Sequence, residues 1–315
     1  MRAAVIVGGR VAAALRPDPV PGTGEVLVRV EAAGLNGADL LQLRGAYPAP
    51  PGSPPDIPGL ELAGEVVQLG EGVTRFAVGD RVMAIVGGGA QAELALVHER
   101  VAMAVPAGVD WTQAGGFPEA FTTAHDALFT QCQLGLGEVL LVHGAAGGVG
   151  TAAVQLGVAA GAAVTASVRD PAARAAVEAF GAKVVAHDAF AENGPYDVIL
   201  ELVGAVNLAA NLGCLATGGR LSVIGVGAGA RGEVDLRVLM AKRARVLGST
   251  LRARPLEGKA DAARRVEKQV IPLLAAAAVT VPVAATFPLD EVARAYERFA
   301  AGRKVGKIVI VTGRT

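Results

Sequence analysis

The stretch "HGAAGGVGTAAVQL", His143–Leu156, decides how the rest of the chain is read. An apolar run, "EVLLV", leads into it, and small and apolar residues at helical spacing lead out. Strand, sharp turn, helix is the order in which a chain aims its first free helical N–H groups at an anion. Aligned on the turn, Ala145-Ala146-Gly147-Gly148-Val149-Gly150 reads A-x-G-x-x-G, with alanine where such fingerprints carry their first glycine. Gly147 would let the backbone approach a dinucleotide pyrophosphate closely, and Gly150 would let the helix pack tightly on the strand. The competing reading is a plain packing turn in a chain that holds 42 glycines.

Context separates the two. From Pro118 onward apolar strands alternate with helical stretches: "EVLLVHG", "VGTAAVQLGVAAG", "AVTASV", "PAARAAVEAFG", "KVVA", "YDVILELVG", a helix through Leu215, "RLSVIGVG" and "RARVLGSTL". Such alternation predicts right-handed βαβ units and a doubly wound parallel sheet, a Rossmann domain over residues 119–253. Before it, "GEVLVRVEAAGL" alternates apolar and polar residues as a strand with one wet face does. "GADLLQLRGAYP" opens as a short helix that stops at Gly45, and the proline-rich "PAPPGSPPDIPG" is a stiff connection. Short strands broken by glycine turns predict a β-rich, partly open barrel over residues 1–118, completed by residues 254–315.

Composition narrows the function classes. A chain of 315 residues suits two domains, and 52% hydrophobic against 18% charged residues excludes a disordered chain. Lysine plus arginine and aspartate plus glutamate number 29 each, so no net field attracts nucleic acid. Only Cys132 and Cys214 occur, which predicts neither a disulfide framework nor a zinc knot and points to a reducing cytoplasm. No signal peptide is visible at the N-terminus. Val139–Val168 lacks charge altogether, yet its six glycines read as strand, turn, helix and strand, not as a membrane span.

The second strand decides which dinucleotide. NAD sites usually end that strand in an acid for the ribose hydroxyl, whereas NADP sites place Arg or Lys there. Here the strand ends in Ser167-Val168, Arg169 follows, and Asp170 precedes Pro171. Asp170 reads as a helix N-cap with proline at N1. Arg169 is then free to clamp a 2′-phosphate, with Arg174 as a weaker helper, so NADPH is the expected cofactor; a solvated surface charge is the other reading of Arg169.

Beyond the glycine turn, "GLNGADLLQLRGAYPAPPG", "DIPGLELAGEVVQLGEGVTRFAVGDRVMA", "GGGAQAELALV", "FPEAFTTA" and the closing "GKIVIV" resemble the medium-chain dehydrogenase/reductases. The likeness is greatest to the zinc-free quinone oxidoreductase branch related to zeta-crystallin and runs through nearly the whole chain in order. It implies a GroES-like domain beside the Rossmann domain, and a homodimer in which "RARVLGSTL" joins two Rossmann sheets. Zinc-dependent relatives carry a cysteine in the segment matching "LNGAD" and a histidine in a G-H-E turn; this chain has Asn36 and, in "GLE", Leu60, and it lacks their four-cysteine lobe. No metal ligand set is therefore expected. The resemblance implies hydride transfer from the cofactor to a quinone or conjugated enone, with Asn36 and Tyr47 lining the substrate side. It also places Thr123 near the nicotinamide ribose or phosphates, with Gly204 and Gly225-Val226 in turns at the carboxyl ends of strands. Tyr47 would hydrogen-bond the acceptor oxygen or relay a proton to it. Structural alternatives stand beside each: packing for Tyr47, turn stabilisation for Asn36, ordinary turn glycines at 204 and 225. The four histidines read as structural or exposed, and the Asp39–Arg44 and Glu61–Glu65 charges as turn and surface chemistry, with Glu61 a candidate buried acid.

Three other functions remain open on sequence. A 2-enoyl thioester reductase would need an opening for a long pantetheine arm. A non-catalytic NADPH-binding sensor or RNA-binding relative would keep the fold, though RNA binding needs a basic stripe that balanced charge does not supply. A Rossmann-like methyltransferase is disfavoured by the missing acid at the strand end.

Overall fold

Burial of seven of the ten residues Glu25–Gly34, with only Arg29 exposed, makes that segment the spine of the first sheet in the computed structural model, which describes residues 1–313. The chain divides into two compact units. The first comprises Met1–Thr122, Leu251–Gly302 and the segment from Lys307 onward; the second comprises Thr123–Thr250 and Arg303–Gly306.

In the first unit the chain runs β1 (Arg2–Val7), β2 (Arg10–Leu15), β3 (Glu25–Gly34), α1 (Gly37–Leu43), β4 (Glu61–Leu69), β5 (Arg81–Ile85), β6 (Leu94–His98), β7 (Ala102–Ala104) and α2 (Trp111–Gly116). Helix α3 (Pro118–His125) then crosses the boundary between the units. β3 serves three neighbours: β4 along most of its length, β6 at its first half and β15 (Lys307–Val311) at its end. Two register shifts against β4 mark the bulges that let one strand bend between these partners. The sheet order is β14-β15-β3-β4-β5-β7, with β14 at Val283–Pro288. Its core is valine and alanine from alternate positions, including Val28, Val30, Leu62, Val66 and Val82. Each such valine or leucine, fully buried, contributes roughly 1.5–3 kcal/mol.

The second unit carries β8 (Val139–Val142), α4 (Gly148–Ala159), β9 (Ala163–Val168), α5 (Arg174–Glu178), β10 (Lys183–Ala186), β11 (Tyr196–Glu201), α6 (Leu208–Cys214), β12 (Leu215–Val223), α7 (Leu236–Lys242) and β13 (Arg245–Gly248). All six strands are parallel, in the order β10-β9-β8-β11-β12-β13. The order reverses between β8 and β11, and a doubly wound sheet opens its ligand crevice at that switch point. One boundary differs from the sequence reading. Leu215 opens β12 and does not end the preceding helix, because its side chain is fully buried in the sheet's core. The chain returns to the first unit through α8 (Leu256–Gln269), α9 (Ile271–Ala275), β14, α10 (Val292–Ala300) and β15.

Candidate functional site

The glycine-rich residues expected to hold a dinucleotide lie in three turns that follow the carboxyl ends of β8, β11 and β12. The turn after β8 contains Ala146, Gly147, Gly148 and Val149, all half-buried, and Gly147 is the N-cap of α4 with extended backbone. The residue with left-handed backbone is Gly144, at φ +59°. Alanine at 145 therefore carries no strain: the conformation that needs glycine falls one residue earlier. Ala145 is wholly buried and its N–H bonds the Ser167 carbonyl at 3.3 Å, tying the turn to the end of β9.

Gly147 and Gly150 differ in what surrounds them. A methyl at Gly150 would come within 2.7 Å of Ala145 Cα, so the fold itself demands glycine there. A methyl at Gly147 would meet nothing closer than the Gly144 carbonyl at 3.4 Å. Packing alone does not require glycine at 147: its N–H is donated to the Gly144 carbonyl at 3.0 Å and its backbone bridges to Gly306, but the space a Cβ would take is unfilled. Around Gly204, at φ +135°, the second and third turns meet: a Cβ would touch Val226 at 3.2 Å and the Gly229 carbonyl at 2.7 Å. Ala228 N–H bonds the Val203 carbonyl at 2.8 Å, and Gly225 presses its Cα face against Leu202. Val226 is exposed.

At the end of β9, Asp170 caps the following turn by accepting the Ala172 N–H at 3.0 Å, with Pro171 at the first helical position. Arg169 is exposed and makes no hydrogen bond or ion pair among the described residues. The Nε of Arg174 is buried without a partner there. Two arginines thus flank a strand end whose nearest acid is already used as a cap. Thr123 is buried on α3.

The substrate-side residues of the sequence reading lie in the first unit. Asn36 precedes α1, whose Asp39 carboxylate accepts the Asn36 N–H at 2.8 Å. The Asn36 amide is held at both ends: Oδ1 accepts from Lys307 Nζ at 2.7 Å, and Nδ2 donates to Glu61 Oε1 at 2.8 Å. Lysine can only donate and a carboxylate only accepts, so this orientation of the amide is chemically forced. Lys307 also bonds the Leu35 carbonyl at 2.8 Å and pairs with Glu61 at 2.5 Å, both side chains being almost wholly buried. The other Glu61 oxygen accepts the Glu119 N–H at 2.8 Å. Two of the charges read as turn or surface chemistry are therefore interior. Glu61 is the buried acid, and Asp39 is buried too, its carboxyl pushed up to about 6 chiefly by desolvation, against the pull of hydrogen bonds from Asn36 and Gly59 and of the Lys307 charge.

Tyr47 is half-buried and its hydroxyl has no hydrogen-bond partner among the described residues. Arg252, buried, spreads over it: Nη1 donates to the Tyr47 carbonyl at 2.9 Å, and the guanidinium carbon stands 5.0 Å from the ring centroid. Its other nitrogens hold Gly87 O at 2.8 Å and Gln42 Oε1 at 2.6 Å. Burial, with the Glu119 charge, raises the Tyr47 phenol above its ordinary range, and Arg252 opposes this. The phenol keeps its proton at neutral pH.

Sequence reading missed Lys307, Arg252 and the short Arg303–Gly306 segment. Lys307 had a visible signal, a lone charge opening the apolar strand "KIVIV". Arg303–Gly306 had none: Gly306 N–H bonds the Ala146 carbonyl at 2.9 Å, a contact across 160 residues.

The side chains present fit a metal and a dinucleotide differently. Among the described residues no three His, Cys, Asp or Glu side chains gather to hold a metal. At Asn36 and Glu61 a lysine ammonium already satisfies both side chains, so these residues do not fit a divalent cation. A dinucleotide fits better, since the space beside the Gly147 Cα at the head of α4 is unfilled and Arg169 is exposed with no partner among the described residues. No described helix is long and apolar enough to cross a membrane.

Comparison with known proteins agrees with this architecture. The alcohol dehydrogenase GroES-like domain model matches residues 22–132, and the zinc-binding dehydrogenase model matches residues 178–310. Human quinone oxidoreductase is 30% identical over 96% of this chain and 95% of its own. Acryloyl-coenzyme A reductase of Metallosphaera sedula is 31% identical over 99% of this chain and 100% of its own. A polyketide synthase of Streptomyces halstedii, GfsB, is 40% identical over 64% of this chain, which spans only 4% of that protein. The crystal structure of an alcohol dehydrogenase superfamily protein from Novosphingobium aromaticivorans superposes with a TM-score of 0.88 at 28% identity, covering 99% of this chain and 100% of that one. The chain belongs to the medium-chain dehydrogenase/reductase family and is an oxidoreductase built from a GroES-like and a Rossmann domain.

Proposed function

We propose that this protein is an NADPH-dependent reductase of quinones or conjugated enones that works without zinc. The observation that carries the reading is the head of α4, where Gly147 is not required by packing and the space beside its Cα is unfilled; separately, a lysine ammonium, not a metal ligand set, lies on Asn36 and Glu61. Ala146–Gly150, Gly204 and Gly225-Val226 hold the dinucleotide, with Thr123 toward the nicotinamide side. Arg169 and Arg174 take the 2′-phosphate, consistent with the use of Asp170 as a cap. When bound, the cofactor supplies hydride. An electron-poor alkene or quinone accepts it without a metal on its carbonyl, so the protein's task is alignment and hydrogen bonding. Tyr47 donates its phenolic proton toward the acceptor oxygen, a role its unpartnered hydroxyl suits, although burial raises its pKa and makes it a weaker acid. Asn36 has both amide hydrogens committed, to Glu61 and, at 3.3 Å, to the Gly34 carbonyl, and offers a ligand only a carbonyl lone pair.

The likeness to acryloyl-coenzyme A reductase supports a second reading, reduction of a 2-enoyl thioester by the same residues. The protein acts as a homodimer in the cytoplasm.

The test follows oxidation of NADPH and NADH by nicotinamide absorbance, with benzoquinone, phenanthrenequinone and a 2-enoyl thioester as acceptors. Turnover with a quinone and preference for NADPH are expected, and Tyr47→Phe should lower kcat by about 10²-fold, the scale of a positioned proton donor. Arg169→Ala should cost NADPH roughly ten- to hundredfold in affinity and spare NADH. Tight NADPH binding with no oxidation by any acceptor would leave only the sensor reading. An unchanged NADPH-to-NADH ratio in Arg169→Ala would move the phosphate clamp elsewhere.

A further inference from the structure

Beneath the three turns lies a chain of buried polar groups that spans the switch point. Glu201 ends β11 and is almost fully buried. One of its oxygens accepts the N–H groups of Val203 at 2.6 Å and Gly204 at 2.9 Å. The other accepts the side-chain amides of Asn207 at 3.1 Å and Asn211 at 2.8 Å. Asn211 in turn presents its carbonyl oxygen to His143 Nε2 at 2.8 Å. His143 directly follows β8, precedes Gly144, and sits edge-on to Phe190 with ring centroids 4.5 Å apart. One carboxylate thereby fixes the turn that leaves β11 and, through Asn211, the side chain that heads the turn leaving β8.

The donor and acceptor roles along this chain are not free. A carboxylate only accepts, so the NH₂ of Asn211 must face Glu201 and its oxygen must face His143. His143 Nε2 must then carry a proton. Burial depresses the imidazolium, with the Glu201 charge and the Asn211 bond opposing, so the ring is neutral and held as a single tautomer.

We infer that Glu201 is a positioning residue of the dinucleotide site: through Asn211 it fixes the Nε2–H tautomer of His143 and, through Val203 and Gly204, the turn that faces the cofactor. The inference rests on the dinucleotide reading above and goes beyond it in assigning how the crevice floor is kept in place. Glu201→Gln replaces one accepting oxygen by an NH₂ group. The introduced glutamine can still accept from Val203 and Gly204, but its nitrogen now faces the NH₂ of Asn211. Asn211 must turn over, and its NH₂ then confronts a protonated His143 Nε2, which has to give up its hydrogen. The paired change Glu201→Gln with Asn211→Asp restores the pattern among residues 201, 211 and 143, while the half-buried Asn207 amide turns its oxygen to the introduced NH₂ group. The glutamine amide then donates to one oxygen of the introduced aspartate, and the other oxygen accepts from His143 Nε2, with the same total charge as the wild type.

The experiment records long-range ¹H–¹⁵N spectra of the histidines in the ligand-free protein, and NADPH dissociation constants by calorimetry, for all three proteins. In the wild type His143 is expected as the Nε2–H tautomer. Glu201→Gln should remove that proton and weaken NADPH binding about tenfold, the order expected for loss of one charge-assisted hydrogen bond. The double variant should return both properties to the wild-type state. Should Glu201→Gln fail to fold, a folded double variant with protonated Nε2 and wild-type affinity is still the expected result. A tautomer unmoved by Glu201→Gln, a double variant without rescue, or equal affinities in all three overturns the inference. A wild type that binds no dinucleotide refutes instead the functional reading on which it rests.

Discussion

Gly147 and Gly150 stand three residues apart, and different neighbours explain them. Gly150 answers to its own protein, for a methyl there would press into Ala145. Gly150→Ala should therefore lower the unfolding free energy by about 1–3 kcal/mol, the usual cost of overpacking, as urea titration would measure it. Gly147 leaves room for a methyl, and its extended backbone suits alanine. Gly147→Ala should cost at most about 1 kcal/mol of stability, through a poorer helix cap. Its NADPH dissociation constant should nevertheless rise about tenfold, because the methyl would stand where phosphate oxygens approach. Unchanged affinity in Gly147→Ala would leave the turn as packing alone. At this scale the sequence was legible where chemistry is local: the strand–turn–helix around the glycines and the capping by Asp170 could be read, although the left-handed position proved to be Gly144. Asp39 and Glu61 were harder, because their partner Lys307 lies about 250 residues away and its one sign, a lone charge opening "KIVIV", points to neither acid.

Elements were legible wherever hydrophobic period and punctuation agreed. The order of strands and helices in the second unit follows from apolar runs separated by glycine, and Asp170-Pro171 marks a helix start by the ordinary capping rule. Legibility failed where tertiary packing overrides the local pattern. Leu215 continues a helical spacing but is drawn into β12, and the Arg303–Gly306 segment is unremarkable in sequence yet bonds the glycine turn through Ala146. Asp170 allows a test that belongs to this scale. Its carboxylate serves the Ala172 N–H, so Asp170→Ala should cost about 1 kcal/mol of stability by loss of the cap. The ratio of NADPH to NADH dissociation constants should stay as it is, since a capping acid takes no part in ribose recognition. A marked change in that ratio would assign Asp170 to the ribose after all.

For the whole molecule, the exposed edge of the Rossmann sheet is the feature with the largest consequence. β13 ends the strand order, and Val246 on it is 44% exposed. On the neighbouring α7, Leu236 and Met240 lie one turn apart and are 64% and 75% exposed. An unpaired strand edge flanked by apolar side chains invites pairing with another strand, and natural proteins rarely leave one bare. A second copy related by a twofold axis would pair β13 antiparallel with itself and bring each α7 face against its symmetry mate. The resemblance read from "RARVLGSTL" led to the same expectation, and the exposure of Val246, Leu236 and Met240 gives it a physical cause. Sedimentation of the wild type should therefore report twice the 31.6 kDa chain mass. Val246→Glu combined with Met240→Lys places charges on that edge and should yield a folded monomer, because neither side chain is buried within its own unit. A wild type that sediments as a monomer, or a double variant that remains dimeric, would remove β13 and α7 from the interface.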